Sequence, residues 1–170
     1  LHGYPILANK FFPAHDFSAK FLFMKSAPDF FQPTKTAMAP IADEAEACAA
    51  VLMACQRADE IMGDAENAAF VNTIKSRNVF IGKDPYALIK TAAELFEQAG
   101  SSAALIDVAM GAIREQTRLP LFYHCLDVIL SNGIVTPQEH KIFQYLKGKF
   151  KIEEETAFEA LEVLTVKNQL

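Results

Sequence analysis

The sequence predicts an all-α fold: a seven-helix bundle with two similar helix–loop–helix halves, preceded by an aromatic N-terminal arm. Three observations carry that expectation. One short pattern occurs twice, as Asp59-x-Ile61-x-x-x-x-Glu66-x-x-x-Phe70 and as Asn132-x-Ile134-x-x-x-x-Glu139-x-x-x-Phe143, each time after a long apolar run and at the opening of a further helix. From residue 43 onward, capping residues and glycines punctuate the chain at helix-length intervals. No alternating apolar and polar run persists, and Asn132-Gly133 lies between helical runs rather than strand-like ones.

Composition changes near Pro40. Before it lie Pro5, Pro13, Pro28 and Pro33 together with Phe11, Phe12, Phe17, Phe21, Phe23, Phe30 and Phe31; after it Ala, Leu and Glu dominate. Residues 1–42 are too proline-broken for long helices and too aromatic to stay in water. They read as an arm that packs across a surface of this chain or a neighbour, with a short helix over 16–25 burying Phe17, Phe21 and Met24. Residues 43–170 read as the helical domain.

Each helix has local reasons. Asp43 and Glu46 form an N-terminal capping pair ahead of Ala47 to Ala58, a run with almost no polar face, which places it centrally in a bundle. A second helix spans Asp64 to Arg77, with Ala69, Phe70, Thr73 and Ile74 inward. Asp84 then caps and Pro85 takes the first helical position; Leu88, Ala92, Leu95 and Phe96 follow at helical spacing, and Gly100 ends the helix. Ser101 caps a fourth, carrying Leu105, Ile106, Ala109, Met110 and Ile113. A fifth runs from about Arg118 to Leu130, with Leu119, Phe122, Leu126 and Ile129 inward. Thr136-Pro137-Gln138-Glu139 is a complete start signal for a sixth, with Ile142, Phe143 and Leu146, which Gly148 is expected to stop. The seventh spans Glu153 to Val166, with Ala157, Phe158, Leu161 and Leu164 inward.

The bulk properties exclude several classes of function. With 51% hydrophobic residues the chain of 170 residues buries a core of its own. Its net charge of −5 argues against a nucleic-acid partner, which needs clustered Lys and Arg. No apolar run reaches the roughly 20 residues of a membrane span, and no secretory signal is read at the start, so the expected setting is cytoplasmic with at most peripheral membrane association. Cys48 and Cys55 lie on one face of a helix, separated by about 10 Å along its axis, beyond the ~7 Å that a disulfide bridges. With Cys125 they read as small buried side chains in a reducing compartment.

The recurring loop supports two readings. Asp59 at a helix end and Glu66 in the next helix's first turn, with Glu60 and Asp64 between them, gather carboxylates on a short loop. That suits a hard divalent cation, Ca²⁺ or Mg²⁺, and not a soft metal, since no Cys or His joins them. It is too short for an EF-hand. The alternative is that Glu at the third helical position only reaches back to the cap and that acidic residues in a first turn only complement the helix dipole. This second reading weighs more on the Asn132–Glu139 loop, where Thr136 and Glu139 form a full capping box and Asn132 has no charge.

The two loops read Ala58-Asp59-Glu60-Ile61-Met62-Gly63-Asp64-Ala65-Glu66 and Ser131-Asn132-Gly133-Ile134-Val135-Thr136-Pro137-Gln138-Glu139. An apolar helix, such a loop and a further helix, twice over in seven helices, resembles the tellurite-resistance TerB-like family across about 43–167. The resemblance implies an all-α fold, a cytoplasmic or membrane-peripheral location, a non-enzymatic role linked to tellurite and other chemical stress, and an acidic metal site. Carried onto this chain, that site takes Asp59 and Glu66 in one half and Asn132 and Glu139 in the other, with Asp64 adjoining the first. Glu60 stands where the family has glycine and Asn132 where it has aspartate; the second change removes a charge from the site.

No other motif carries chemistry. His124 and Cys125 are adjacent and diverge on a helix; His124 shares a face with Asp127; His140 is expected to face solvent; Lys147, Lys149 and Lys151 complement a helix C-terminus. No phosphate loop, zinc spacing or nucleophile elbow is present. Two functions therefore stand: a metal-responsive stress module, or a metal-free assembly module whose arm, through Phe17, Phe21, Phe30 and Phe31, contacts a protein partner or a second copy.

Overall fold

A computed structural model describes residues 38–57, 64–131 and 136–168. The aromatic arm with Phe17, Phe21, Phe30 and Phe31, its short helix, Asp59 and Asn132 lie outside the described residues. Within them the chain is all-α: α1 (Glu44–Gln56), α2 (Asp64–Ser76), α3 (Pro85–Ala99), α4 (Ser102–Ala109), α5 (Glu115–Ile129), α6 (Pro137–Phe150) and α7 (Glu154–Lys167). Short 3-10 turns at Asn78–Phe80 and Met110–Ala112 join α2 to α3 and α4 to α5.

α1 is the centre. From Ala47 to Ala54 every side chain is buried, and α2, α3, α4 and α5 all pack against it. Its small residues Ala47, Ala49, Ala50 and Ala54 let those neighbours approach closely. α5 is the second hub: it touches α1, α2, α6 and α7, and Phe122 on it meets Phe143 and Phe150 of α6 with ring centroids 6.1 and 6.3 Å apart. The three cysteines are free and buried. Burial pushes the Cys48 thiol up to about 12 and, with a thiol–thiol hydrogen bond to Cys55, raises that of Cys125.

The helix starts form as the sequence predicts. Asp43, Asp84, Ser101 and Thr136 each accept an amide from the first turn of their helix. Glu46 reaches one residue past the cap, accepting from the Ala42 amide at 2.9 Å. Gly100 caps α3 in the left-handed region, at φ 75°, where other residues pay a Cβ clash. Glu44 accepts both the backbone N–H of Arg114 at 3.0 Å and its Nε–H at 2.7 Å, tying α1 to the start of α5. The guanidinium holds the Glu44 carboxyl down at about 2.

Five expectations need correction. α4 ends at Ala109, so Met110 lies in the 3-10 turn that follows and Ile113 beyond it. Gly148 does not stop α6, which runs on to Phe150 and closes on Lys151 in the left-handed region, at φ 57°. Phe150 is buried against Phe122, and burying that ring outweighs the ~1 kcal/mol that a helical glycine costs. α5 begins at Glu115, so Pro120 sits inside it rather than near its start. Leu119 and Phe158, expected inward, are 40% and 44% exposed: Leu119 lies one turn before Phe122 at the margin of the buried stripe, and Phe158 meets Phe143 and the Lys147 ammonium at the edge of the core. His140 does not simply face solvent; it is half-buried beside Phe143, with ring centroids 6.2 Å apart, and that burial lowers its pKa.

Candidate acidic loop site

The two copies of the repeated pattern fold alike where both are described. Glu66 and Phe70 of α2, and Glu139 and Phe143 of α6, occupy matching positions one turn apart, and all four side chains are buried. The repeated spacing thus places a carboxylate on the buried face of each helix, one turn before a buried phenylalanine. Glu66 and Glu139 are each 4% exposed, and buried carboxylates persist only with partners.

The helix ends that lead into the loops are held from outside. Ser102 Oγ donates to the Ala54 carbonyl at 2.8 Å near the end of α1, and Asn168 Nδ2 donates to the Leu130 carbonyl at 3.0 Å after α5. In both halves a carbonyl near the helix end thereby gains a side-chain donor. The first loop has a further brace, Gln56 Nε2 donating to Asn67 Oδ1 at 3.1 Å across α1 and α2. Sequence reading missed Ser102, Gln56, Asn67 and Asn168, whose partners follow only from the packing.

The candidate ligands divide. Glu139 belongs to a complete capping box: its backbone N–H donates to Thr136 Oγ1 at 3.2 Å while its carboxylate accepts the Thr136 amide. Glu66 is buried but Asp64 is exposed. The two are two positions apart on one helix, and side chains at that spacing do not face each other. Asp64 and Glu66 are therefore not brought together, and among the described residues no three His, Cys, Asp or Glu side chains are gathered to hold a metal. The box itself makes a prediction: Thr136→Ala is expected to lower stability by about 1 kcal/mol, the usual worth of a hydroxyl cap, read as a lower urea midpoint at unchanged slope.

The family model described as Tellurite resistance protein TerB matches residues 45–165. The chain belongs to the TerB family. No curated protein and no solved structure matches it. As a TerB-family chain it is a module of the tellurite-resistance type, and its all-α architecture is that of the family. No described helix is long and apolar enough to cross a membrane.

His124, Asp127, Lys147 and Lys149 are engaged in packing or ion pairs. Asp127 pairs with Lys167 rather than with His124, and burial, followed by the Arg77 charge, lowers the His124 pKa. Lys147 pairs with Glu154 at 3.4 Å and Lys149 with Asp107 at 2.5 Å, so the basic cluster is spread over separate partners.

Proposed function

We propose that this TerB-family chain is a non-enzymatic stress-response module that binds a divalent cation, Ca²⁺ or Mg²⁺, at the loop between α1 and α2. Asp59 and Glu66 supply the ligands, and Asp64 adds negative charge at the loop exit. The observation that carries this reading is Glu66, a carboxylate buried in the first turn of α2 at the end of an acidic stretch. Oxygen donors without sulfur or imidazole suit a hard cation. Glu139 fits the role less well, because its carboxylate is committed to the Thr136 amide and Asn132 is neutral; the reading therefore rests on one lobe. A binding role rather than a catalytic one draws support from the burial of the three thiols and from Glu139 serving as a cap. The family relation supports a cytoplasmic setting.

The test is a thermal melt after EDTA treatment, followed by Ca²⁺, Mg²⁺, Mn²⁺ or Zn²⁺. At about a hundredfold excess over Kd, binding is expected to raise Tm by about 5–10 °C, and Asp59→Ala is expected to abolish the rise. Flat melts with every ion would remove the cation reading and leave the metal-free one, assembly through the arm that carries Phe17, Phe21, Phe30 and Phe31.

A further inference from the structure

Away from the acidic loops, a pocket of about 300 Å³ opens between α1, the end of α2, the Asn78–Phe80 turn and α5. Its floor is apolar, with Leu52 from α1, Val79 and Phe80 from the turn and Leu121 from α5. Its rim carries donors. Arg77 is exposed, and none of the ion pairs among the described residues uses it. His124 is half-buried and close enough to Arg77 to feel its charge, and Asn78 adds a carboxamide. The hydroxyls of Thr73 and Ser76 donate to the Ala69 and Asn72 carbonyls of their own helix, at 2.9 and 2.7 Å, and that of Thr117 bonds Glu44. No Asp or Glu lines the pocket, in a chain of net charge −5.

We propose that this pocket binds a small organic anion: a carboxylate head against Arg77, Asn78 and His124, and a compact apolar body over Leu52, Phe80 and Leu121. Its volume stands at the lower end of small-molecule sites, about 300–1,000 Å³, and an apolar floor with a few convergent polar groups is their usual construction. A guanidinium presents a planar fork that two carboxylate oxygens can fill. Arg77 is the cation of this rim, and Asp127, the carboxylate on the helix of His124, pairs with Lys167 from α7. An anion pairs with the Arg77 guanidinium, a neutral ligand gains nothing from its charge and a cation is repelled by it. The pocket shares no ligand with the acidic loop and does not depend on the cation reading.

The test is a titration of the isotope-labelled full chain with hexanoate and benzoate, followed by NMR, with hexanol and hexylamine as neutral and cationic controls. Saturable shifts are expected at Val79, Phe80, Leu121 and His124 with both carboxylates, weaker binding of hexanol and none of hexylamine. Arg77→Gln is expected to weaken the carboxylates about tenfold, the worth of one charge-assisted hydrogen bond, and to leave hexanol unchanged. Because Arg77 is exposed, the variant keeps its fold, which the same spectra report. The absence of saturable shifts with either carboxylate, shifts confined to other surfaces, equal binding of hexanol, or an undiminished affinity in Arg77→Gln would each overturn the assignment.

Discussion

Val51→Asp is expected to leave no cooperatively folded chain, whereas Val163→Asp on α7 stays within about 0.5 kcal/mol of the parent. Val51 lies in the middle of α1, and neither it nor its neighbours Ala50 and Leu52 reach solvent; Val163 is 65% exposed. A carboxylate at Val51 has no water and no partner, at a cost of several kcal/mol for the ion even after relaxation. Protonating it does not rescue the chain, because an unpaired buried polar group still costs roughly 2–7 kcal/mol. Total stability in domains of this kind is about 5–15 kcal/mol, so either form removes a large share of it. Circular dichroism melts at neutral and acid pH separate the outcomes. A cooperative Val51→Asp transition near that of the parent would show that α1 is not the element around which the others assemble. The consequence reaches both candidate sites, since α1 leads into the acidic loop and supplies Leu52 to the pocket.

What was legible in the sequence divides along physical lines. Helix starts were, because a cap is a local bond: Asp43, Asp84, Ser101 and Thr136 each bond within three residues of themselves. The central position of α1 was legible because a helix without a polar face has only one place to go. Helix ends and margins were not, because tertiary burial decides them. Gly148 has every local reason to end α6, yet Phe150 two residues on finds a pocket against Phe122 and draws the helix past it. Phe158 and Leu119 have the right period, but the neighbouring helices cover them only in part.

The candidate sites followed the same division. The repeat placed Glu66 and Glu139 correctly at the third residues of two helices, but not their burial. Joining Asp64 to Glu66 overlooked that, with both in the first turn of α2, a spacing of two turns their side chains apart. The pocket was not legible at all. Leu52, Arg77, Phe80 and Leu121 lie on separate elements and no motif links them; the packing of α1, α2 and α5 brings them to one rim and floor.

Phe122→Ala is expected to cost about 3–5 kcal/mol, the range for removing a buried aromatic ring and leaving a cavity, and to lower Tm by roughly 6–20 °C in a domain of this size. Phe122 is fully buried and joins α5 to α6 through two contacts, Phe143 at the middle of α6 and Phe150 at its last residue. Phe122→Leu keeps most of the volume and forfeits the ring pairs, worth about 0.5–1.5 kcal/mol each, so it is expected to fall between parent and alanine. The loss should not spread evenly. Phe143 lies one turn below Glu139, so a cavity at Phe122 loosens α6 beneath the Thr136–Glu139 box, while Glu66 and Phe70 rest on α2. Amide exchange is therefore expected to accelerate over α6 before α2. Equal acceleration in both helices, or a cost below about 1 kcal/mol, the median for ordinary substitutions, would mean that the aromatic cluster does not hold the second half together. Unequal acceleration would instead show that the two repeated halves, alike in pattern, are stabilised separately: the first by the central helix α1, the second by rings that meet on Phe122.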